Sequence, residues 1–433
     1  MISRKKLLAY IEEKSDEHLD YLKSLINEDT TNINHGIDGG NEENGQRLIE
    51  KTMMSMGMNI HRFAPNDSML VKYSEASLGH NYNKRENIVG KLKGSGGGKS
   101  LLLNGHIDTM PFESPEKWKR HPLEPYIIND KIYGRGACDM KGGLAAMLLA
   151  LKSLLELGFT PKGDVIIESV VDEEGGGGGT LACIHEGYHA DLAIVAEPTE
   201  LMIMNAHVGW VFFRMNVIGK ALHAGLKWHG VNAIDKTYLL IDALKSLEKE
   251  LALIPSENQL PPVTLNIGTI HGGTAGSVVP DSCTLDFGFH FPTSLADDKG
   301  RGIHVEEAIR NCISKVVSED TWLFTHPPIL NKYQEGSSYS LINYEAITEK
   351  ISMHHEFVRK APAKVSGCAY GCDARLLQNI GGIDTIIYGP GSIKRAHGID
   401  EYLEVDQYLD FIKIMALFIY DWTEGNENKS MPL

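Results

Sequence analysis

The carboxylate pair Glu173–Glu174 directly follows an apolar run, Asp164 to Val171 (DVIIESVV), and four other acid or imidazole residues stand at similar points of the chain. His106 follows Leu101 to Leu103, Glu197 follows Leu192 to Val195, His397 follows Thr385 to Tyr388, and Asp139 precedes a helical pattern. Short apolar runs of this kind read as strands buried on both faces. In an open α/β sheet the polar groups of a binding site gather at the carboxyl ends of such strands, where the chain leaves the buried sheet. The pattern therefore predicts an α/β fold with a mostly parallel sheet whose strand ends bring these residues into one metal-capable site.

The remaining chain has two textures. From the N-terminal helix to about Asn205, β-branched runs alternate with helical patterns, as in strands joined by crossover helices. One of these patterns, Leu144 to Leu157, repeats its apolar residues at the helical period and stops at Gly158. It reads as a buried helix, because Lys152, Ser153 and Glu156 interrupt it and it falls short of the roughly 20 residues of a membrane span. From about Val208 the order becomes strand (VGWVFFRMNVIG), helix (Val231 to Leu251), strand (VTLNIGTI), strand (CTLDFGFHF), helix (Val305 to Ser318), then a strand near Trp322 to Phe324. This is the βαββαβ order of a ferredoxin-like unit. The αβ texture resumes at about Ser337, with a strand at Asp384 to Tyr388 and a last helix near Gln407 to Trp422. A catalytic domain at 1–207 and 329–433, interrupted by a smaller unit at 208–328, is the expected division. Of the two glycine-rich segments, Gly94 to Gly98 reads as a hairpin or surface turn and Gly175 to Gly179 follows the carboxylate pair. Neither has the GK[ST] context of a phosphate cradle.

Composition narrows the partners. A net charge of -15 without a basic stripe argues against nucleic acid. Six scattered cysteines without a paired CxxC rhythm indicate reduced thiols in a cytoplasmic protein. Met1 to Glu13 is charged and amphipathic and lacks the apolar core of a signal peptide, so neither export nor membrane attachment is expected.

Each candidate also has a plain reading. A lone histidine is most often a satisfied core residue, but Asp108 two residues after His106 can accept a hydrogen bond from its second ring nitrogen, as behind a metal-bound imidazole. Asp139 could be a helix N-cap, and a carboxylate with four lone-pair positions can also bridge two metals. Glu173 and Glu174 could form a solvated acidic turn. A turn after a buried strand is, however, a costly place for two unpaired acids, and there one can bind metal while the other works on water. Glu197 precedes Pro198, which holds it extended at its strand end. His397 alone could be a surface histidine.

The segments LLLNGHIDTMP, IYGRGACDMKGG, VVDEEGGGGGT, AEPT, GKALHAG and YGPGSIKRAHGIDEY resemble, in order along nearly the whole chain, the signature blocks of the dinuclear zinc amidohydrolases. That family includes acetylornithine deacetylase, succinyl-diaminopimelate desuccinylase, aminoacylase and carboxypeptidase G. The resemblance implies two zinc ions per subunit, with cobalt able to substitute, and Asp139 as the bridging carboxylate. It implies His106 and Glu197 as the other ligands of one ion and Glu174 and His397 as those of the second. Glu173 is implied as general base and Asp108 as the partner behind His106. It further implies that the inserted unit is a lid that also forms a homodimer, and that His223 in GKALHAG reaches the active site of the other subunit to stabilise the oxyanion.

Mixed imidazole and carboxylate ligands suit zinc, and an ion pair of this kind makes hydroxide available near neutral pH. The expected reaction is hydrolysis of the amide of a small N-acylated amine or amino acid, with Glu173 moving the proton. In the family an Asn before a Val-x-Pro turn and an Arg on the next strand hold a substrate carboxylate. Here GSVVPDSCTLDFGFHFP puts Ser277 and His290 at those places, a weaker anion clamp than Asn with a bidentate Arg. Arg375 in GCDARLL is a possible carboxylate ligand, or equally a helix-start salt bridge. An N-formylated aminopyrimidine of thiamin salvage and a dipeptide are the alternative substrates. A catalytically silent metal-dependent binding protein is the alternative from another class, and the presence of Glu173 with all five ligands argues against it.

Overall fold

The computed structural model describes residues 2–425 and 431–432. They divide into two compact units, one of residues 1–205, 341–366 and 372–433, the other of residues 206–340 and 367–371.

The first unit is built on a twisted sheet. Its middle strands, Val165–Val170, Leu101–His106, Ala193–Val195 and Thr385–Ile387, lie side by side and parallel. Antiparallel strands flank them, with Asn87–Leu92 and Asn59–Phe63 on one side and Ile203–His207 on the other. All six residues of Leu101–His106 and of Val165–Val170 are buried, which explains why these strands read as continuous rather than alternating apolar runs. The helix Lys141–Glu156 is apolar nearly all round and is packed against the C-terminal helix Val405–Thr423. The segment Gly94 to Gly98 is a surface connection rather than a hairpin, because the strands on either side of it pair with opposite edges of Val165–Val170.

The second unit carries a four-stranded antiparallel sheet in the order Thr264–Gly272, Ser282–Phe291, Gly209–Ile218, Ile329–Gly336. Helices Ala233–Leu251 and Ile303–Glu319 complete a ferredoxin-like βαββαβ arrangement. Its last strand is not near Trp322. Thr321–Thr325 is a short helix, capped by Asp320, whose carboxylate accepts the Trp322 and Leu323 N–H groups at 3.0 and 2.9 Å. Pro327 and Pro328 prevent its continuation, and the strand forms after them. Since Ile329–Gly336 pairs with Gly209–Ile218, the boundary expected at 328 falls before a strand of the inserted sheet.

Candidate metal centre and active site

Strand register brings the first candidate ligands together. Asn104 lies opposite Val195 and His106 opposite Val170 in the parallel ladders. Two residues beyond Val195, Glu197 therefore arrives level with His106, and the turn after Val170 carries Glu173 and Glu174 past the same strand end. His106 Nε2 is 3.8 Å from Glu197 Oε1 and 4.0 Å from Glu173 Oε2. Asp139 enters from the start of the helix Lys141–Glu156, which approaches the sheet so closely that a Cβ on Gly143 would lie 2.1 Å from the Ala196 carbonyl oxygen. Met140, not Asp139, holds the N-cap position, and no side chain caps that helix. The Asp139 carboxylate is spent on the site instead, with Oδ1 3.1 Å from His106 Nε2 and Oδ2 3.1 Å from His397 Nε2. His397 Nε2 is also 2.9 Å from Glu174 Oε1. Candidate donor atoms of His106, Glu173 and Glu197, and of His106, Asp139 and Glu174, lie within 4.8 Å of one another in each set.

Asp108 plays a different part from the expected one. His106 Nδ1 donates to the main-chain carbonyl of Asp108 at 2.7 Å, while the nearer carboxylate oxygen stands 3.7 Å away. The chain turns so sharply after His106 that the carbonyl meets the ring first. This bond still orients the ring and turns Nε2 toward the neighbouring carboxylates. The carboxylate accepts the N–H groups of Glu173 and Glu174, both at 3.2 Å, and so holds the turn that presents them.

Behind that turn sits a buried group that single-sequence reasoning missed. Asp172, in the left-handed region at φ 66°, accepts His80 Nδ1 at 2.9 Å, the Tyr82 hydroxyl at 2.7 Å and Arg85 Nη2 at 3.1 Å. Arg85 also pairs with Glu42 at 2.8 Å, all three charged side chains being fully buried. The left-handed φ values of Gly176 and Gly177 bring the chain back into the helix Gly178–His185.

The electrostatics fit cations. Four carboxylates converge on two imidazoles in a site open on the side of His397, whose side chain is 47% exposed. Burial pushes the carboxyls of Glu173 and Glu197 well above their ordinary range, and that of Glu174 up. Although burial disfavours the imidazolium, the hydrogen bonds it donates to the Asp139 and Glu174 carboxylates raise His397 to about 11. Without metal this cluster keeps protons where divalent ions would replace them.

Arg375 is not presented as a substrate ligand. It is buried, with Nε 3.1 Å from Glu75 Oε2, and it donates to the carbonyls of Cys372 and Gly176. The salt-bridge reading is the one the geometry supports. In the inserted unit His223 is an exposed cap that accepts the Gly225 N–H at 3.1 Å, and the Ser277 carbonyl accepts the Ala224 N–H at 2.9 Å, so these two residues are neighbours. His290 is half-buried on Ser282–Phe291, edge-on to Phe212 at 5.7 Å, and burial lowers its pKa.

Comparison with known proteins agrees with this geometry. Over residues 102–421 the chain matches the model of peptidase family M20/M25/M40. It is 30% identical to the N-formyl-4-amino-5-aminomethyl-2-methylpyrimidine deformylase of Halalkalibacterium halodurans, over 96% of this chain and 97% of that protein. A probable succinyl-diaminopimelate desuccinylase of Staphylococcus aureus is 29% identical over 76% of this chain and 84% of its own length. Among solved structures, the dipeptidase Dug1p of Saccharomyces cerevisiae shares the fold with a TM-score of 0.76 at 14% identity, over 98% of this chain and 99% of that one. The chain belongs to peptidase family M20/M25/M40 and, with it, to the hydrolases of amide bonds.

Proposed function

We propose that this protein hydrolyses the amide bond of a small N-acylated amine, using two zinc ions held by His106, Asp139, Glu174, Glu197 and His397, with cobalt able to replace them. The observation that carries the reading is Asp139, with one oxygen 3.1 Å from each of two imidazoles, as a carboxylate shared between two ions requires. Such ions, when bound, would polarise the scissile carbonyl and bring the pKa of attacking water toward about 7. Glu173 Oε2, 4.0 Å from His106 Nε2 and outside hydrogen-bond reach of it, takes the proton of the attacking water and passes it to the leaving nitrogen. Asp108 keeps Glu173 and Glu174 aimed apart by holding both their N–H groups. His223, supplied by the second copy of a homodimer, donates to the oxyanion.

For the amine half, the reading favoured is a neutral N-formylated aminopyrimidine. Its support is the near full-length similarity to a deformylase of that chemistry, together with His290 where an anion-binding Arg is expected. A half-buried imidazole with a lowered pKa is a neutral partner, poorly suited to a carboxylate. The setting is cytoplasmic, and the free thiols of Cys138, Cys183, Cys283 and Cys312 suit a reducing compartment. Among the described residues no helix is long and apolar enough to cross a membrane.

The test is hydrolysis, by zinc-loaded protein, of matched N-formyl, N-acetyl and N-succinyl compounds carrying either an aminopyrimidine or an amino acid. Fastest release from the N-formyl aminopyrimidine is expected. Preference for N-succinyl amino acids would remove the pyrimidine and leave amide hydrolysis. Stoichiometric metal with no turnover on any compound would overturn the enzyme reading in favour of a binding protein.

A further inference from the structure

Outside the ligands and the base, one buried ion pair touches three segments that carry the site. Arg135 and Glu401 are 3% and 1% exposed, and Arg135 Nη1 donates to Glu401 Oε2 at 2.7 Å. The other oxygen, Oε1, accepts the main-chain N–H groups of Cys138 at 2.9 Å and Asp139 at 3.1 Å. Arg135 Nη2 donates to the main-chain carbonyls of Pro111 and His397, both at 3.2 Å. Three loops therefore meet on two side chains: the one after His106, the one bearing Asp139, and the one bearing His397.

Local structure explains why the pair forms here. The strand Tyr402–Glu404 is antiparallel to Lys131–Tyr133, with Tyr402 opposite Tyr133. That pairing sets Glu401 beside Gly134, whose N–H bonds the Glu401 carbonyl at 3.0 Å, so Arg135 follows within reach of the carboxylate. The guanidinium also lies over the Trp118 ring, 5.3 Å from its centre. A planar fork can hold a carboxylate with one arm and two carbonyls with the other, which a lysine cannot reproduce. Loop anchorage matters at His397, because this non-glycine residue has φ 60° and keeps that conformation only when its surroundings impose it.

We propose that Arg135 and Glu401 are positioning residues that set the separation and affinity of the two ion sites, Glu401 by seating Asp139 and Arg135 by seating His397. The inference rests on the metal-centre reading above. It assigns to the pair a function beyond stability: Asp139 serves both ions, so disturbing its seat weakens both, whereas disturbing the His397 carbonyl weakens one.

Zinc affinity, measured by chelator competition on the refolded apo-protein, tests this without reference to turnover. Wild-type protein should hold two zinc ions. Glu401→Leu, which keeps the bulk but removes the oxygen that accepts both N–H groups, is expected to lose about 10–100-fold in affinity at both, the range seen when partners behind metal ligands are removed. Arg135→Lys, which keeps a charge against Glu401 but forfeits the second arm, should weaken one ion by a similar factor and leave the other near wild type. Asp421→Asn, which disturbs the buried contact of Asp421 with His354 at 3.2 Å, is the control for general destabilisation and should lower the melting temperature with zinc affinity unchanged. If Glu401→Leu fails to fold, Glu401→Asp, too short to span both N–H groups and Arg135, takes its place with the same expectation at smaller size. Folded Glu401 and Arg135 variants that bind both ions like wild type would overturn the proposal. Wild-type protein that binds no zinc would overturn the metal-centre reading itself.

Discussion

His106 and His223 are the same side chain put to opposite structural use. His106 is buried at a strand end, its Nδ1 tied to the Asp108 carbonyl at 2.7 Å and its Nε2 turned to three carboxylates. His223 lies exposed on the inserted unit, next to a loop in which Ser277 is exposed as well, and its Nδ1 accepts the Gly225 N–H two residues away. The difference fits the roles proposed for the two residues. In the proposed roles, a metal ligand is held to fractions of an ångström by several buried bonds, whereas a group that donates to the oxyanion can stand exposed. Damage in the first region should therefore be abrupt and metal-linked, and damage in the second graded and substrate-linked.

The strongest test of that contrast is Asp139→Ala. It removes the oxygen facing each imidazole, so both ions should be lost and turnover should fall to background, as metal analysis and hydrolysis of an N-formyl substrate will show. His397→Ala should mainly weaken one ion. Two tightly bound zinc ions in Asp139→Ala would break the bridging assignment.

Next in size is Glu173→Gln, expected to keep fold and metal while losing on the order of 10²–10⁴ in kcat through lost proton transfer. Glu174→Gln should instead lose metal, because its carboxylate meets His397 at 2.9 Å. Were the two phenotypes reversed, the ligand and the base would have to be exchanged.

A smaller effect concerns the cost of polarity beneath the site. Glu168 is fully buried, with Oε2 accepting Asn104 Nδ2 at 3.0 Å. Burial, which dominates, raises its pKa from 4.5 to about 7. The folded state therefore holds more protons than the unfolded chain between those values, so this group's contribution is full below about 4.5 and is lost as pH rises through about 7. Glu168→Gln keeps the acceptor and removes the ionisation. Denaturant unfolding should show little gain at pH 4.5 and a gain on the order of 3 kcal/mol at pH 8. An equal effect at both pH values would mean that Glu168 does not titrate in this range.

How far the sequence could be read follows the same physics. Strands buried on both faces leave continuous apolar runs, and charged residues at their ends stand out because unpaired charge beside a buried strand is costly. Hence His106, Glu173, Glu174 and Glu197 could be picked out and the parallel register could be expected to join them. Bonds between distant segments leave no such trace. Nothing local distinguishes Arg85 and Glu42, or Arg135 and Glu401, from exposed charges, although each is buried and paired, and Asp172, at the same strand end as Glu173, shows nothing in the sequence of its distant partners. Arg375 shows the converse, a charged residue in a suggestive motif whose guanidinium goes to Glu75. Trp322 to Phe324 was misread for a local reason: three large apolar residues suggest a strand, and the Asp320 cap decides for helix.

The inserted unit offers the subtlest prediction. His290, between Trp210 and Thr264 on neighbouring strands, has its pKa lowered by burial and is a neutral group near pH 7. If it faces the substrate, His290→Arg should create a fixed cationic fork and shift preference toward N-acyl substrates bearing a carboxylate beside the nitrogen. The change should appear in the ratio of kcat/KM between carboxylated and neutral N-acyl amines, by about tenfold for roughly 1.4 kcal/mol of added interaction, with metal content unaltered. Because Arg is larger and always charged, a loss of activity on both substrates would report crowding rather than recognition. The ratio therefore carries the test. An unchanged ratio in a folded, metal-loaded variant would mean that His290 does not meet the substrate, and the case for a neutral amine half would then rest on similarity to the deformylase alone.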